Sequence, residues 1–242
     1  MGDAGRPYSA VVIPDDFPGY SHHEIRLSSR YQDYIESILV PNGLIKDRLE
    51  KMATDIINNL EKKKSTSLTL ICILKGGFKF ASDLSEKLEA TAYAKGKGVT
   101  IHMDFIVAST YVVSLFEIDF LILQTWLKND RVGHETQLRP CSDLKKFQNR
   151  DLLVVEDLID TGTTLHKLVA YLSSLKPHSL EVASLLIKRR PDCASFQPDY
   201  VGFEVPDRFI VGYAIDYNDN FRELPHVCVI NDRGKKQFAV TQ

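Results

Sequence analysis

The residues best equipped for chemistry lie between Leu153 and Thr164, in LVVEDLIDTGTT: the adjacent carboxylates Glu156 and Asp157, then Asp160, then Thr161-Gly162-Thr163-Thr164. A glycine that accepts a positive φ, free N–H groups at a helix start and the threonine hydroxyls make the last four residues a cup for one phosphate. The spacing is not G-x-x-x-x-G-K-[ST], so the cup suits a phosphate monoester rather than a nucleoside triphosphate. Just before it, Glu156 and Asp157 can accept hydrogen bonds from the vicinal hydroxyls of a sugar and help hold a hydrated Mg²⁺. Cup and clamp together fit a ribose 5-phosphate. Asp160 then falls near the anomeric carbon, where it could take a proton or stabilise positive charge. Taken singly, Asp160-Thr161 reads equally as an N-cap and Glu156-Asp157 as a solvated loop. The whole run, directly after an apolar stretch, weighs for a ligand site.

Such a site needs a strand to deliver the acids and a helix to receive the phosphate. Asp151 to Val155 reads as that strand and Leu165 to Leu175 as that helix. Leu68 to Leu74, LTLICIL, is a continuous apolar run that ends in Lys75-Gly76-Gly77, the pattern of a buried parallel strand entering a loop. Further strands fit Thr100 to Tyr111 and Ser179 to Ile187, with shorter ones at Tyr200 to Phe203 and Phe209 to Ala214; helices fit about Ile45 to Leu60 and Phe78 to Ala90. This alternation predicts an α/β fold with a doubly wound parallel sheet. Ligands of such sheets bind beyond the carboxyl ends of the strands, where Lys75-Gly76-Gly77, Glu156-Asp157 and Lys188 all fall.

The composition limits what else the chain can do. Its 242 residues, 44% of them hydrophobic, can bury a full core as one domain. A net charge of -2 and a pI near 6.4 give no general attraction to polyanions, so neither nucleic-acid nor membrane-surface binding is expected. Cys72, Cys141, Cys193 and Cys228 form no C-x-x-C pair, which predicts reduced thiols in a cytoplasmic setting. MGDAGRPYSA has no apolar signal region, and Arg6 stands where a myristoylation motif wants Ser or Thr. The histidines never reach metal-ligand spacing.

Four blocks carry a resemblance: LICILKGGFKFASDL (Leu70 to Leu84), LLVVEDLIDTGTT (Leu152 to Thr164), VASLLIKRRP (Val182 to Pro191) and PDYVGFEVPDRFIVGYAIDYNDNFREL (Pro198 to Leu224). Their order and content closely resemble the hypoxanthine-guanine phosphoribosyltransferase family, from about Val11 to Phe238 with one interruption. The resemblance implies the type I phosphoribosyltransferase fold, a core from about 45 to 205, and a small hood subdomain from about 1–44 and 206–242. It implies transfer of phosphoribose from phosphoribosyl pyrophosphate to a 6-oxopurine, with Mg²⁺ as cofactor and a homodimer or homotetramer as the assembly. By the same resemblance Glu156 and Asp157 hold the ribose hydroxyls, Asp160 accepts the proton of purine N7, and Thr161, Gly162, Thr163 and Thr164 cup the 5-phosphate. Lys188 would donate to the 6-oxo group, Phe209 would stack on the ring and the Ile210 backbone would read the base edge. Asp216 would lie beside the purine and ligate a second Mg²⁺, with Glu156 and Asp157 at the other metal; Lys75, Gly76 and Arg222 would meet pyrophosphate. A cis peptide is expected at Leu74-Lys75, and Thr110 and Tyr111 belong to a lid loop that closes over the site.

The sequence departs from that pattern at three places. Val112 to Leu127, VVSLFEIDFLILQTWL, reads as an insertion into the mobile lid loop. Eleven of its sixteen residues are apolar, fewer than the about 20 that span a bilayer. An altered lid, an association surface and translated non-coding sequence all fit it; the last is favoured because joining Tyr111-Val112 to Asn129-Asp130 restores a family-like loop. Ser109 and Thr163 stand where relatives carry a basic residue, which predicts weaker binding of an anionic substrate.

Overall fold

The computed structural model describes residues 9–107, 144–190 and 196–240. Ser109, Thr110, Tyr111, the segment 112–127, Cys141 and Cys193 lie outside the described residues. The described chain builds strands β1 (Val11–Val12), β2 (Ile35–Val40), β3 (Ser67–Leu74), β4 (Thr100–Val107), β5 (Asp151–Ile159), β6 (Ser179–Lys188), β7 (Tyr200–Val205), β8 (Ile210–Val211) and β9 (Val227–Ile230). Its helices are α1 (Asn42–Lys62), α2 (Phe78–Ala94), α3 (Thr163–Ser174) and α4 (Asp232–Gln237).

Six strands form one sheet in the order β1-β7-β6-β5-β3-β4, every neighbouring pair parallel. Parallel strands covered on both faces must be apolar on both, and the side chains of β3 and β5 alternate accordingly. Leu70, Cys72, Leu153 and Val155 face α1 and α2, against Leu49, Ile56, Phe80 and Leu84. Ile71, Ile73, Leu152 and Val154 face α3, against Leu165, Leu168 and Leu172. Burying each such side chain contributes about 1.5–3 kcal/mol, which is why continuous apolar runs settle in the middle of this sheet. Cys72 and Cys228 are buried free thiols, both pushed up to about 12 by burial.

Helix α2 follows β3 onto one face and α3 follows β5 onto the other, so chain order reverses between these two adjacent strands. That reversal is the switch point at which open α/β sheets form a crevice. Pairing of β3 with β5 ends at Cys72↔Val155, whereas β5 and β6 stay in register to Ile159↔Ile187. Beyond Val155 one edge of β5 is therefore unpaired, and Glu156 and Asp157 occur there. The strand expected to stop at Val155 runs on to Ile159, so the acid pair belongs to the strand itself.

The second sheet is small and antiparallel, in the order β2-β9-β8. It has its own apolar cluster, which includes Tyr31, Ile38, Phe221 and Cys228. The expected strand over Phe209 to Ala214 is corrected here. Only Ile210–Val211 is strand, it pairs antiparallel outside the large sheet, and Gly212, Tyr213 and Ala214 all turn through positive φ. Six apolar or small residues in a row read as a strand because periodicity does not report the sign of φ. Residues near the amino end serve both sheets, since Val11–Val12 pairs with β7 while Ile35–Val40 pairs with β9. No helix among the described residues is long and apolar enough to cross a membrane.

Candidate active site

The crevice beyond β3 and β5 opens as a cleft of about 870 Å³. Its floor is the end of β5 and the turn into α3: Glu156, Asp157, Asp160, Thr161, Gly162 and Thr164. One wall is Lys75 and Gly76, and the other is Asp216 and Arg222 from the segment joining β8 to β9. Residues as far apart in sequence as Lys75 and Arg222 thus share one solvent-open space, with the segment between β8 and β9 closing over the carboxyl ends of β3 and β5.

The turn into α3 has the form that a phosphate cup requires. Gly162 is the N-cap residue at φ 78°, and a Cβ there would lie 2.8 Å from the Phe196 Cβ. Only glycine meets both demands cheaply. No side chain caps α3, so the first N–H groups of the helix face the cleft with the positive end of the helix dipole behind them. The Thr161 and Thr163 hydroxyls lie 3.3 Å apart at the rim.

Glu156 and Asp157 face the cleft with few donors. Asp157 N–H donates to Glu156 Oε1 at 3.2 Å and Leu158 N–H to Asp157 Oδ1 at 2.9 Å. Burial and then the neighbouring Asp157 charge push the Glu156 carboxyl well above its usual range. Across the cleft the Leu74–Lys75 peptide is cis, and Gly76 lies so close that a Cβ would meet Asp157 Oδ2 at 1.8 Å. The neighbouring Gly77 is also pinned, with its Cβ position 2.5 Å from the Ile73 carbonyl oxygen. The two glycines let the loop after β3 approach β5 at backbone distance.

Asp160 is held among charges. Its Oδ1 is 3.2 Å from Arg190 Nη1 and 3.8 Å from Lys188 Nζ. Asp207 faces the same two cations, at 3.5 Å from Lys188 and 3.6 Å from Arg190. Lys188, only 10% exposed, is thus a fixed ammonium between two carboxylates rather than a solvated strand end. Phe209 is 44% exposed, edge-on to Tyr217 at 5.2 Å with Lys235 5.8 Å from its ring centre, so it is not a core residue. Ile210, buried in β8, pairs with Val229.

On the far wall, Arg222 donates from Nη1 to the Ala214 carbonyl at 2.7 Å and pairs through Nη2 with Asp216 Oδ1 at 2.8 Å. Asp219 Oδ1 accepts from Lys75 Nζ at 3.2 Å and lies 3.5 Å from Arg222 Nη2. The hydrogen bond and charge of Lys75, with Arg222 behind it, hold the Asp219 carboxyl below its usual range.

Ten of the residues singled out from the sequence therefore line one cleft, while Thr163, Lys188, Phe209 and Ile210 lie outside its lining and Thr110 and Tyr111 outside the described residues. Sequence reasoning passed over Arg190, Asp207 and Asp219. Arg190 follows Lys188 by two positions, as does any residue on the same side of an extended chain, and that spacing was the available signal. Asp207 and Asp219 sit in turns and gave none.

Among the described residues no group of three or more His, Cys, Asp or Glu side chains is placed to hold a metal. The carboxylates lining the cleft are the Glu156-Asp157 pair, Asp160, which faces Arg190 and Lys188, and, across the cleft, Asp216. Separate carboxylates with room between them suit Mg²⁺, which keeps several waters and is usually bound by one or two carboxylates plus substrate phosphates.

Comparison with known proteins places these features. A sequence model of the phosphoribosyl transferase domain matches residues 37–218. The chain is 46% identical over 230 residues to hypoxanthine-guanine phosphoribosyltransferase of Schistosoma mansoni, covering 95% of this chain and 75% of that protein. It is 37% identical to human phosphoribosyltransferase domain-containing protein 1 and 36% to human hypoxanthine-guanine phosphoribosyltransferase, covering 98% and 94% of this chain and 96% of each relative. The crystal structure of the Schistosoma mansoni hypoxanthine-guanine phosphoribosyltransferase in complex with IMP superposes with a TM-score of 0.76 at 42% identity, covering 96% of this chain and 100% of that one.

Proposed function

We propose that this chain, which belongs to the phosphoribosyltransferase family, is a purine-salvage enzyme. It joins hypoxanthine or guanine to the ribose of phosphoribosyl pyrophosphate, giving IMP or GMP and pyrophosphate. The observation that carries this reading is the uncapped α3 start, the acid pair and the Lys75–Arg222 cations meeting in one cleft. Their order along it follows the order of groups in a 5-phosphorylated ribose bearing pyrophosphate at C1.

In this reading Thr161, Gly162, Thr163 and Thr164 hold the 5-phosphate with backbone N–H groups and hydroxyls, and Glu156 and Asp157 accept from the ribose hydroxyls. Lys75, the Gly76 backbone and Arg222 take the pyrophosphate. Phe209 stacks on the purine, the Ile210 backbone meets its edge, and the fixed Lys188 ammonium donates to the 6-oxo group, which adenine lacks. Asp160 takes the N7 proton as the purine nitrogen bonds to C1 and the C1–oxygen bond to pyrophosphate breaks. Its contacts with Lys188 and Arg190 orient it for that transfer. The positive charge that develops on the ribose is vulnerable to water, so the cleft must be covered during the reaction, a task for the Thr110–Tyr111 loop. Glu156, Asp157 and Asp216 would hold Mg²⁺, which, bound with the substrate, neutralises the leaving pyrophosphate. The family resemblance supports a homodimer or homotetramer and a cytoplasmic setting.

The full chain incubated with Mg²⁺, phosphoribosyl pyrophosphate and hypoxanthine or guanine should form mononucleotide and pyrophosphate in equal amounts. Absence of product with every 6-oxopurine sinks the enzyme reading. The second reading, a weakly active or non-catalytic protein that binds purine mononucleotide or phosphoribosyl pyrophosphate, is favoured by Thr163, which leaves the cup without a lysine. Calorimetric binding of IMP or GMP without turnover would select it.

A further inference from the structure

Lys75 and Arg222 reach the cleft from opposite walls, and a carboxylate that no part of the proposed reaction uses stands between them. Asp219 Oδ1 is 3.2 Å from Lys75 Nζ and 3.5 Å from Arg222 Nη2. Its place is set by the backbone. Asn218 and Asp219 both have positive φ, 51° and 60°, a conformation that Asn and Asp tolerate better than most residues. The turn is closed by paired Tyr217 and Asn220 backbone bonds of 3.1 Å each, and Asp219 N–H donates to Asp216 Oδ2 at 2.7 Å. Asn218 Nδ2 donates to the Phe238 carbonyl at 2.8 Å, tying the turn to the chain beyond α4. With Asp216 on Arg222, the two cations and two carboxylates that meet here sum to zero charge.

We infer that Asp219 is an internal counter-anion that competes with the pyrophosphate group for Lys75 and Arg222. The inference rests on the pyrophosphate role proposed above for those two residues. Both partners of the Lys75–Asp219 pair are largely exposed, at 65% and 74% for the side chains. Exposed pairs are weak, so substrate can displace Asp219 and Asp219 can in turn displace product. The carboxylate lowers affinity for anions at this end of the cleft and helps pyrophosphate leave.

Asp219→Asn keeps the side-chain size and tolerance of positive φ while removing the charge. It should lower the KM for phosphoribosyl pyrophosphate about two- to fivefold, strengthen product inhibition by pyrophosphate to the same degree, and leave the KM for hypoxanthine unchanged. A turn that merely supports the fold would move these constants the other way when altered. Asp219→Glu, which restores a carboxylate, should return the constants toward those of the unaltered protein. Calorimetry with pyrophosphate and Mg²⁺ reads the same competition without turnover. Equal or weaker pyrophosphate binding by Asp219→Asn overturns the inference. If the unaltered protein makes no mononucleotide, the enzyme reading fails and the calorimetric comparison still decides the role of Asp219.

Discussion

Strand β5 carries acids at both ends, and the fold treats them in opposite ways. At its amino end Asp151 is buried, and it accepts from the hydroxyls of Ser65 and Ser179 and from His178 Nδ1 at 2.8 Å. Burial works against its charge, but these donors outweigh burial and hold the carboxyl below its usual range. At the carboxyl end Glu156 and Asp157 have local backbone N–H groups as their hydrogen-bond donors among the described residues, and the Glu156 carboxyl is pushed up. Donors supplied by the fold mark an acid that serves the structure. Acids left short of donors in an open crevice are positioned for donors that arrive with a ligand. Asp160 stands apart from both, with Lys188 and Arg190 beside it and, in the proposed reaction, a proton to accept.

Removing the proposed proton acceptor should break this contrast most severely. Asp160→Asn is expected to lower kcat by about 10²- to 10⁴-fold, the range for a lost general base, with thermal unfolding nearly unchanged. A rate within a few fold of the unaltered protein would move the acceptor role elsewhere. Gly76→Ala comes next. The added methyl occupies the space of Asp157 Oδ2, so the proposed ribose clamp is displaced while the core is untouched. A misplacement of that size should cost on the order of 10²-fold in kcat/KM. Unaltered kcat/KM would show that Asp157 does not need its present position.

At the amino end the same kind of change should act on stability alone. Asp151→Asn removes a charged acceptor from three donors and should cost about 1–3 kcal/mol at pH 7, measured by urea unfolding, with kcat of the folded protein within about twofold. The sign with pH follows from the lowered carboxyl. Stability from Asp151 is fully present above its unfolded pKa of about 3.9 and is lost as pH falls through the still lower folded value. The gap between the unaltered protein and the variant should therefore narrow below about pH 4. A gap that persists there would assign the cost to packing instead.

The legible parts of this molecule are those in which neighbours in sequence are neighbours in space. LTLICIL, LVVEDLIDTGTT and their glycines identified the two central strands, the crevice and the cup, because a buried parallel strand needs a continuous apolar run and a helix start needs a particular turn. The small sheet was poorly legible. Val227–Ile230 pairs with Ile35–Val40 across almost the whole chain, and neither run is long enough to stand out. Arg190, Asp207 and Asp219 escaped because their partners come from other elements, and an exposed Asp in a turn has the same local appearance with or without a cation opposite it. The Phe209 to Ala214 stretch misled for a backbone reason, the positive φ of Tyr213 and Ala214.

The gentlest change tests whether the acid-rich end lacks a cation. Thr163 is the first residue of α3, beside Thr161 at the rim of the cup, and its side chain is exposed. A lysine there would add charge directly at the proposed 5-phosphate. Two effects oppose each other. The cation attracts the phosphate, yet it sits at the helix end whose dipole already favours anions and disfavours cations, by about 0.3–1 kcal/mol at an exposed position. Solvent screens both, but the phosphate is bound in direct contact and carries more charge than the dipole end, so attraction should win. Thr163→Lys should therefore lower the KM for phosphoribosyl pyrophosphate about two- to fivefold, lower the unfolding temperature slightly, and lose its advantage as salt is raised. An unchanged KM at low salt would mean that the α3 backbone N–H groups and the threonine hydroxyls already satisfy the phosphate, and that this cup works without a lysine.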